Sequence, residues 1–561
     1  MAAFFQDAPV LPDPYAADAP LRAILRQLLA PEILTEIEPD LRRFAGRVIG
    51  DVRAMGLDAE ARPPRLISFG AWGQRVDAIE VAAGWHGLHR AAAEEGLVAL
   101  AYERAHGADS RLHQFAKLYL FHPSSSFYSC PLAMTDGAAR VLETLGDGAQ
   151  IAGAFRRLTS RDGDAFWTSG QWMTERTGGS DVGQTTTVAR PAVGGGFELT
   201  GDKWFTSATT AKMALALARI EGSEGGSKGL SLFYLETFDG ATGALRPSIQ
   251  VRRLKEKLGT RALPTAELSL LAAPAELVGE AGGGVRKISA LLNITRLHNS
   301  ICAVASQARA LALAKDYAGR RRAFGALLRD HPLHAETLAD LQCEHEAGLH
   351  LTFCLVAALG REEAGLATPE ERSLLRTLTP VTKLFTAKSA LRIASEVVEA
   401  FGGAGYVEDT GLPQLVRDAQ VFSIWEGTTN VLSLDVLRAL GQGGFDVVAQ
   451  EAGRRLKRAS AVPRLMPMVA RVEGAVARLK EYAGGSASNE TSAATGGRAF
   501  AFSLARSFAA ALLLEHAAWC VEAGLRPEAV DVAQRWCAQE LITLVDGTIE
   551  RRASTARILG I

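Results

Sequence analysis

Apolar positions repeat with helical spacing over most of the chain and give way to strand-like alternation in one stretch. From Leu21 to about Leu158, long Ala/Leu/Arg/Glu segments broken at Pro31, Pro63-Pro64 and Pro123 predict helices. The first 20 or so residues are rich in Pro, Asp and Ala and read as an arm or loop. The texture changes near Phe166. Phe197–Thr200, Met213–Ile220, Leu230–Thr237 and Glu267–Leu270 have strand lengths and partial alternation, and glycine-rich turns separate them. They predict a small all-β domain between about 166 and 280. Helical texture resumes near Val285 and runs to Leu440, with helices expected over Thr295–Asp316 and Val381–Phe401. Gly441–Gly444 makes a break. Beyond it, Val462, Leu465, Val469, Val472, Val476 and Leu479 step by three and four, one face of a helix. Pro463 and Pro467 place the start of its regular part near Met468. The run Gly484–Gly497 is a flexible loop by composition, and two or more helices close the chain.

Composition narrows the class. A chain of 561 residues with 48% hydrophobic and 22% charged residues fits a soluble protein of several domains. The formal net charge of −1 gives no global pull toward nucleic acid or acidic membranes. Six cysteines stand far apart with no C-x-x-C pair, which argues against a zinc ribbon or a disulfide scaffold and fits reduced thiols in the cytoplasm. His86, His89, His106, His113 and His122 show no metal-ligand pattern, and no metal is expected. The N-terminus lacks the basic and apolar regions of a signal peptide. The most apolar run, near Ala499–Trp519, is interrupted by Arg506 and Glu515 and reads as a buried helix, so no membrane span is expected.

Candidate chemistry lies in short motifs, each with two readings. Ser423-Ile-Trp-Glu-Gly-Thr-Thr-Asn430 puts the Glu426 carboxylate on a glycine turn beside small polar side chains. It can serve as a proton acceptor, or Thr428 or Asn430 can simply cap a helix over Val431–Leu440. Met173-Thr-Glu-Arg-Thr-Gly-Gly-Ser-Asp-Val182 offers hydroxyls and exposed backbone N–H groups to a polar ring or phosphate, or is a Gly-Gly turn. Gly201–Ser207 reads as a turn feeding a strand with Trp204, Thr206 and Ser207, for a ligand or for the core. Arg320–Gly325 can grip a pyrophosphate or end a helix, and Phe401–Tyr406 is a glycine run that a helix C-cap also explains.

Taken in order, T-E-x-x-G-G-S-D, G-x-K-W-F-x-S, R-x-x-F-G, F-G-G-x-G and I-W-E-G-T make the chain resemble the acyl-CoA dehydrogenase family across about Phe166–Leu440. It is most similar to the AidB-like branch, in Lys255–Arg261, the tryptophan of S-I-W-E-G, Leu434–Arg438, and the long regions at both ends. The resemblance implies a mainly α fold with a central β domain. Its parts are an N-terminal arm and helical domain (1–165), a β-barrel domain (166–284), a four-helix bundle carrying the catalytic turn (285–440) and a C-terminal helical extension (441–561).

The same resemblance implies FAD as cofactor. Met173, Thr174 and Ser180 match the loop at the flavin edge. Trp204, Thr206 and Ser207 match the strand beside the isoalloxazine ring. Arg321 matches an arginine, and Gly402, Gly403 and Gly405 a turn, that reach the FAD of a neighbouring subunit. Thr428 and Asn430 match positions close to FAD. Glu426 matches the base that removes the α-proton of an acyl-CoA thioester while a β-hydride passes to flavin N5. Some family members carry that base just before an arginine on an earlier helix. Here Thr295 stands there, leaving Glu426 as the base, and leaving Arg296 as a ligand-contacting cation or an internal ion pair. A homotetramer and an electron-transfer flavoprotein as electron acceptor are also implied.

The AidB-like branch raises duplex DNA as a second partner, with weak dehydrogenase activity. From Gly441 onward, 15 Lys and Arg face 12 Asp and Glu, and Arg454-Arg-x-Lys-Arg458 is the only dense basic cluster, more readily a solvated helix face than a duplex-binding surface. A third reading is a flavin enzyme that oxidises a nitroalkane or an amine.

Overall fold

The computed structural model describes residues 7–486 and 490–561, which form two compact units. One unit consists of residues 46–105 and 120–298, the other of the chain up to Ala45, residues 106–119 and all that follows His298.

The first unit contains the β domain. A hairpin, β1 (Arg65–Phe69) and β2 (Arg75–Glu80), stands where only helices were expected. Its strands are too short for their alternation to rise above the Ala/Arg-rich sequence around them. Seven further strands form one sheet: β3 (Ser169–Trp172), β4 (Val188–Pro191), β5 (Phe197–Ser207), β6 (Met213–Ile220), β7 (Leu230–Glu236), β8 (Ile249–Leu254) and β9 (Thr265–Leu277). The pairings β6–β4–β5–β9–β7 close back on β6, so the sheet is a barrel; β3 joins parallel to β6 and β8 antiparallel to β9. β6 shows how its sequence specifies this. Met213, Leu215 and Leu217 pack with Val141, Leu142, Ile151 and Leu158 of helices Ser129–Leu145 and Ala149–Leu158. The alternate positions Ala214, Ala216 and Ala218 lie in the other cluster with Leu199, Phe233 and Leu268, where small side chains leave room for large ones. The hairpin blunts an edge of this sheet: the Val251 N–H donates to Asp77 Oδ2 (3.0 Å) and the Val251 carbonyl accepts from Arg75 Nη2 (2.8 Å).

Gly201 does not lie in a turn before a strand, as expected, but within β5. Register against β9 slips there twice, between Leu199 and Gly201 and between Lys203 and Thr206. The second slip is a bulge at Trp204-Phe205, which re-aims both aromatics.

The second unit is helical. Its longest elements are Pro332–Glu363, Pro369–Ala400 and Glu490–Ala523, with the shorter Leu412–Phe422 and Thr429–Leu440 flanking the Glu426 turn. Helix Pro369–Ala400 opens with a capping box of Thr368 and Glu371. Gly443, at φ +82°, ends the Gly441–Gly444 break, and helix Gly444–Ala459 follows. The next helix runs Met466–Ser486, two residues earlier than expected, because a 3-10 turn at Pro463–Leu465 absorbs the first proline. The expected loop 484–497 is for the most part helix. Residues 487–489 lie outside the described residues, but Glu490–Ala523 continues straight into the apolar run. Alanines and threonines that look like linker composition are here drawn into a helix by the burial of its continuation. That helix is long and apolar enough to cross a membrane, yet 78% of its most apolar window is buried. It packs on helices Pro332–Glu363, Pro369–Ala400, Thr429–Leu440 and Gly444–Ala459, so the C-terminal extension shares the core of this unit.

Within this unit a buried bidentate pair, Arg111 Nε and Nη2 to Glu363 (both 2.7 Å), fixes the segment 106–119 to helix Pro332–Glu363. Removing one partner strands a buried charge. Glu363→Gln is expected to lower the unfolding free energy by about 3–5 kcal/mol, and Arg111→Met with Glu363→Leu to recover most of it. Denaturant titration of the three proteins checks this.

Candidate active site

In the barrel unit, the chain leaving β3 passes through Met173, which is buried, and Thr174, which is half-buried. The Thr174 carbonyl accepts the Trp204 N–H at 3.0 Å, joining the two segments directly. The next residue on each side reinforces the joint. Glu175 and Lys203 are both buried, and Lys203 Nζ donates to Glu175 Oε1 at 2.8 Å and to the Leu217 carbonyl of β6 at 2.9 Å. Glu175 also accepts from the backbone and hydroxyls of Thr186 and Thr187, leading into β4. Burial alone would raise this carboxyl's pKa. The Lys203 charge and the hydrogen bonds outweigh burial and hold it below its usual range. A side chain at Gly179 would sit 2.8 Å from Thr174 Oγ1, so glycine lets the loop fold back on itself. Ser180 is exposed farther along that loop.

Trp204 carries two cations. Lys255 Nζ stands 3.5 Å from its ring centroid and Arg176 Cζ 5.7 Å. Thr206 is buried, with Oγ1 donating to the Ala266 carbonyl (2.9 Å), and Ser207 Oγ lies 3.2 Å from Thr265 Oγ1. Both hydroxyls therefore bind the start of β9. Two buried polar atoms at the end of β3, Gln171 Oε1 and Trp172 Nε1, have no hydrogen-bond partner among the described residues. Arg296 is half-buried in helix Ser289–Ala318, beside buried Thr295. Two residues on, His298 Nε2 lies 2.8 Å from Asp136 Oδ2.

In the helical unit, Glu426 is half-buried and left-handed, at φ +55°, followed by Gly427 at φ +102°. A non-glycine residue in that region carries strain of about 1–2 kcal/mol, which surrounding structure must offset. The helix after it begins at Thr429, two residues earlier than expected. Thr428 occupies the N-cap position but makes no side-chain capping bond. Asn430 is no cap either, since it lies in the first turn and its Oδ1 accepts from Arg498 Nη1 at 3.1 Å. Buried Lys383 donates to the Gly427 carbonyl at 2.7 Å.

The Arg320–Gly325 cluster is a hairpin rather than a helix end, with Phe324 fully exposed at its tip. Arg320 pairs with Asp316, and Arg322 with the Gly325 carbonyl; Arg321 is exposed, and its side chain makes no hydrogen bond or ion pair among the described residues. Gly402 takes φ +61° where helix Pro369–Ala400 ends. Gly402 and Gly403 face open space, whereas a side chain at Gly405 would meet the Val398 carbonyl at 1.9 Å. Gly405 is thus required by packing. In the basic cluster, Arg454 and Arg455 pair with Glu451, and Arg455 and Arg458 with Glu515.

Matches to known proteins cover nearly the whole chain. Residues 10–165 match the adaptive response protein AidB N-terminal domain, 170–272 the acyl-CoA dehydrogenase middle domain, 282–441 the acyl-CoA dehydrogenase C-terminal domain and 445–558 the acyl-CoA dehydrogenase 11 C-terminal domain-like family. Acyl-CoA dehydrogenase family member 11 of Caenorhabditis elegans is 43% identical over 557 residues, 96% of this chain and 89% of that one. The chain belongs to the acyl-CoA dehydrogenase family. Within it the chain falls in the AidB-like branch. Putative acyl-CoA dehydrogenase AidB of Escherichia coli is 31% identical over 427 residues, 74% of this chain and 76% of that one. The structure of Caenorhabditis elegans ACDH-11 in complex with C11-CoA has a TM-score of 0.96 at 41% identity, covering 100% of this chain and 97% of that one.

Four site-neighbouring residues escape a sequence reading. Glu175 and Lys203 sit inside their motifs, but their pairing is visible only in space. Lys383 carries a signal, a cation among apolar and small residues from Thr377 to Leu391 that otherwise shows only Lys388. Arg498 carries none.

The Glu175–Lys203 pair generates an acid-sensitive element. A carboxyl held below 4.5 contributes stability that is present above that value and is lost as pH falls through its lowered pKa. Glu175→Gln is expected to destabilise the protein by about 3–5 kcal/mol at neutral pH, and to flatten the decline in stability that the parent shows below pH 4.5. Thermal melts between neutral pH and pH 3 read both effects.

Proposed function

We propose that this acyl-CoA dehydrogenase family member catalyses α,β-dehydrogenation of an acyl-CoA thioester, with FAD as cofactor and Glu426 as base. The observation that carries the reading is the left-handed turn at Glu426, which holds a half-buried carboxylate in strained backbone. The residues fit FAD. The orphaned Gln171 Oε1, the glycine-lined loop after it and the half-buried Trp204 suit a flat ring with donors and acceptors on its edge. Met173, Thr174, Ser180, Trp204, Thr206 and Ser207 would hold it, and Thr428 and Asn430 are proposed as further cofactor-binding residues. When bound, FAD supplies the hydride acceptor.

The chain's own work is to place, stabilise and take a proton. An α-C–H beside a thioester is a weak acid, so it yields a proton only if negative charge on the thioester oxygen is met as it develops. The Glu426 backbone N–H is the donor this chain offers, and its carboxylate takes the α-proton. Arg296 would meet a polar part of the ligand. Exposed Arg321, with Gly402 and Gly403 facing open space, supports a homotetramer in which these groups reach a neighbouring subunit's FAD. We extend the proposal to the four segments 1–165, 166–284, 285–440 and 441–561 as domains, to electron-transfer flavoprotein as acceptor and to the cytoplasm as location. Duplex binding through Arg454–Arg458 gains no support, because three of the four cations are matched by Glu451 and Glu515.

The C11-CoA complex of the nematode relative makes that thioester the first substrate to try. Purified yellow protein is expected to bleach under anaerobic conditions with C11-CoA or a thioester of shorter or longer chain. Glu426→Gln is expected to slow bleaching by about 100-fold or more while still binding the thioester. No bleaching across the panel, with reduction instead by small nitro compounds or amines, would replace this reading.

A further inference from the structure

Lys383 lies on helix Pro369–Ala400 with its side chain fully buried, and its ammonium donates to the Gly427 carbonyl at 2.7 Å. Burying an ammonium costs several kcal/mol after relaxation, so its position near the turn is a costly one for the fold to keep. Its placement bears on the turn. The turn 423–428 hangs between helices Leu412–Phe422 and Thr429–Leu440, and both pack on helix Pro369–Ala400. Lys383 reaches from that shared support to the middle of the turn. The carbonyl it holds belongs to the peptide just after Glu426, and the two residues at φ +55° and +102° make up the left-handed part of the turn. Relaxing that strain would rotate the Glu426 and Gly427 peptides, and a charge-assisted bond to Gly427 opposes such rotation. On the other side, Arg498 of helix Glu490–Ala523 holds Asn430.

We propose that Lys383 is a positioning residue for the base: its ammonium clamps the Gly427 carbonyl and thereby holds Glu426 in the left-handed conformation that proton abstraction uses. The inference rests on the assignment of Glu426 as base. Lys383 touches neither substrate nor cofactor in this account and acts through the backbone.

Three proteins test it: the parent, Lys383→Met, which keeps the length but cannot donate, and Lys383→Gln, whose amide still can. The first readout needs no activity. In cofactor-free protein, amide hydrogen exchange over residues 424–429 is expected to speed up about 10-fold or more in Lys383→Met and to stay near the parent in Lys383→Gln. The second is flavin reduction by acyl-CoA. Lys383→Met is expected to lose about 100-fold in the maximal rate with substrate affinity within about 3-fold of the parent, since misplacing a reacting group by about 1 Å costs that much. Lys383→Gln should recover most of the loss. Unchanged exchange and unchanged rate in folded Lys383→Met overturn the proposal. So does unfolding of both variants, which would make Lys383 a residue of the fold alone. Equal reduction rates in the parent and Glu426→Gln would remove the base assignment instead, and the exchange comparison would still read the clamp.

Discussion

A carboxylate and an ammonium, both out of water, hold the barrel unit to the loop that follows β3. Glu175 and Lys203 are adjacent to the two residues, Thr174 and Trp204, whose backbones meet in a single hydrogen bond. The pair reaches further than two segments. Lys203 also binds the Leu217 carbonyl in β6, and Glu175 gathers Thr186 and Thr187 at the start of β4. One buried charge pair thus ties the loop to three strands of the closed barrel. Such a pair adds little net stability compared with an apolar replacement, but it tolerates few alternative arrangements, because every misregister strands a charge. That intolerance is what a loop full of glycine needs. Gly178 and Gly179 leave the backbone free to take many shapes, and the buried pair selects one.

The helical unit solves a similar problem with different material. At Glu426, the proposed base, the left-handed backbone itself has to be held. Strain at φ +55° is offset by two flanking helices seated on one support, with Lys383 and Arg498 touching Gly427 and Asn430 on either side of the turn. In both units a buried lysine acts on a residue next to a candidate site residue, Glu175 beside Thr174 and Gly427 beside Glu426.

How much of this was legible depended on how local the cause was. β6 was read correctly because its alternation of large residues and alanine records two faces with different neighbours, and that is a period-2 signal. The hairpin β1–β2 was missed because its reason for existing, the Val251 edge of β8, lies more than 170 residues away. The loop expected at 484–497 became helix because burial of the following apolar run overrode weak local propensity. The ordered motifs single out Thr174, Trp204 and Glu426 as candidates, since these reside in short contiguous patterns. The capping roles considered for Thr428 and Asn430 did not survive, because Asn430 is engaged by a side chain from the C-terminal extension. No local rule could reveal that.

That last contact bears on what the extension is for. Its basic residues looked like the most direct clue to a second function, yet Arg454, Arg455 and Arg458 alternate with Glu451 and Glu515, and Arg455 is buried to Cys354 of helix Pro332–Glu363. A cation shared between two carboxylates of its own chain has little field left to offer a phosphate. The same helix that supplies Glu515 supplies Arg498, and it packs against the helix that leaves the Glu426 turn. The extension is therefore built into the scaffold of the candidate base. Its charges are spent on joining helices, and its consequence for chemistry runs through the geometry of a turn about 70 residues upstream in the chain.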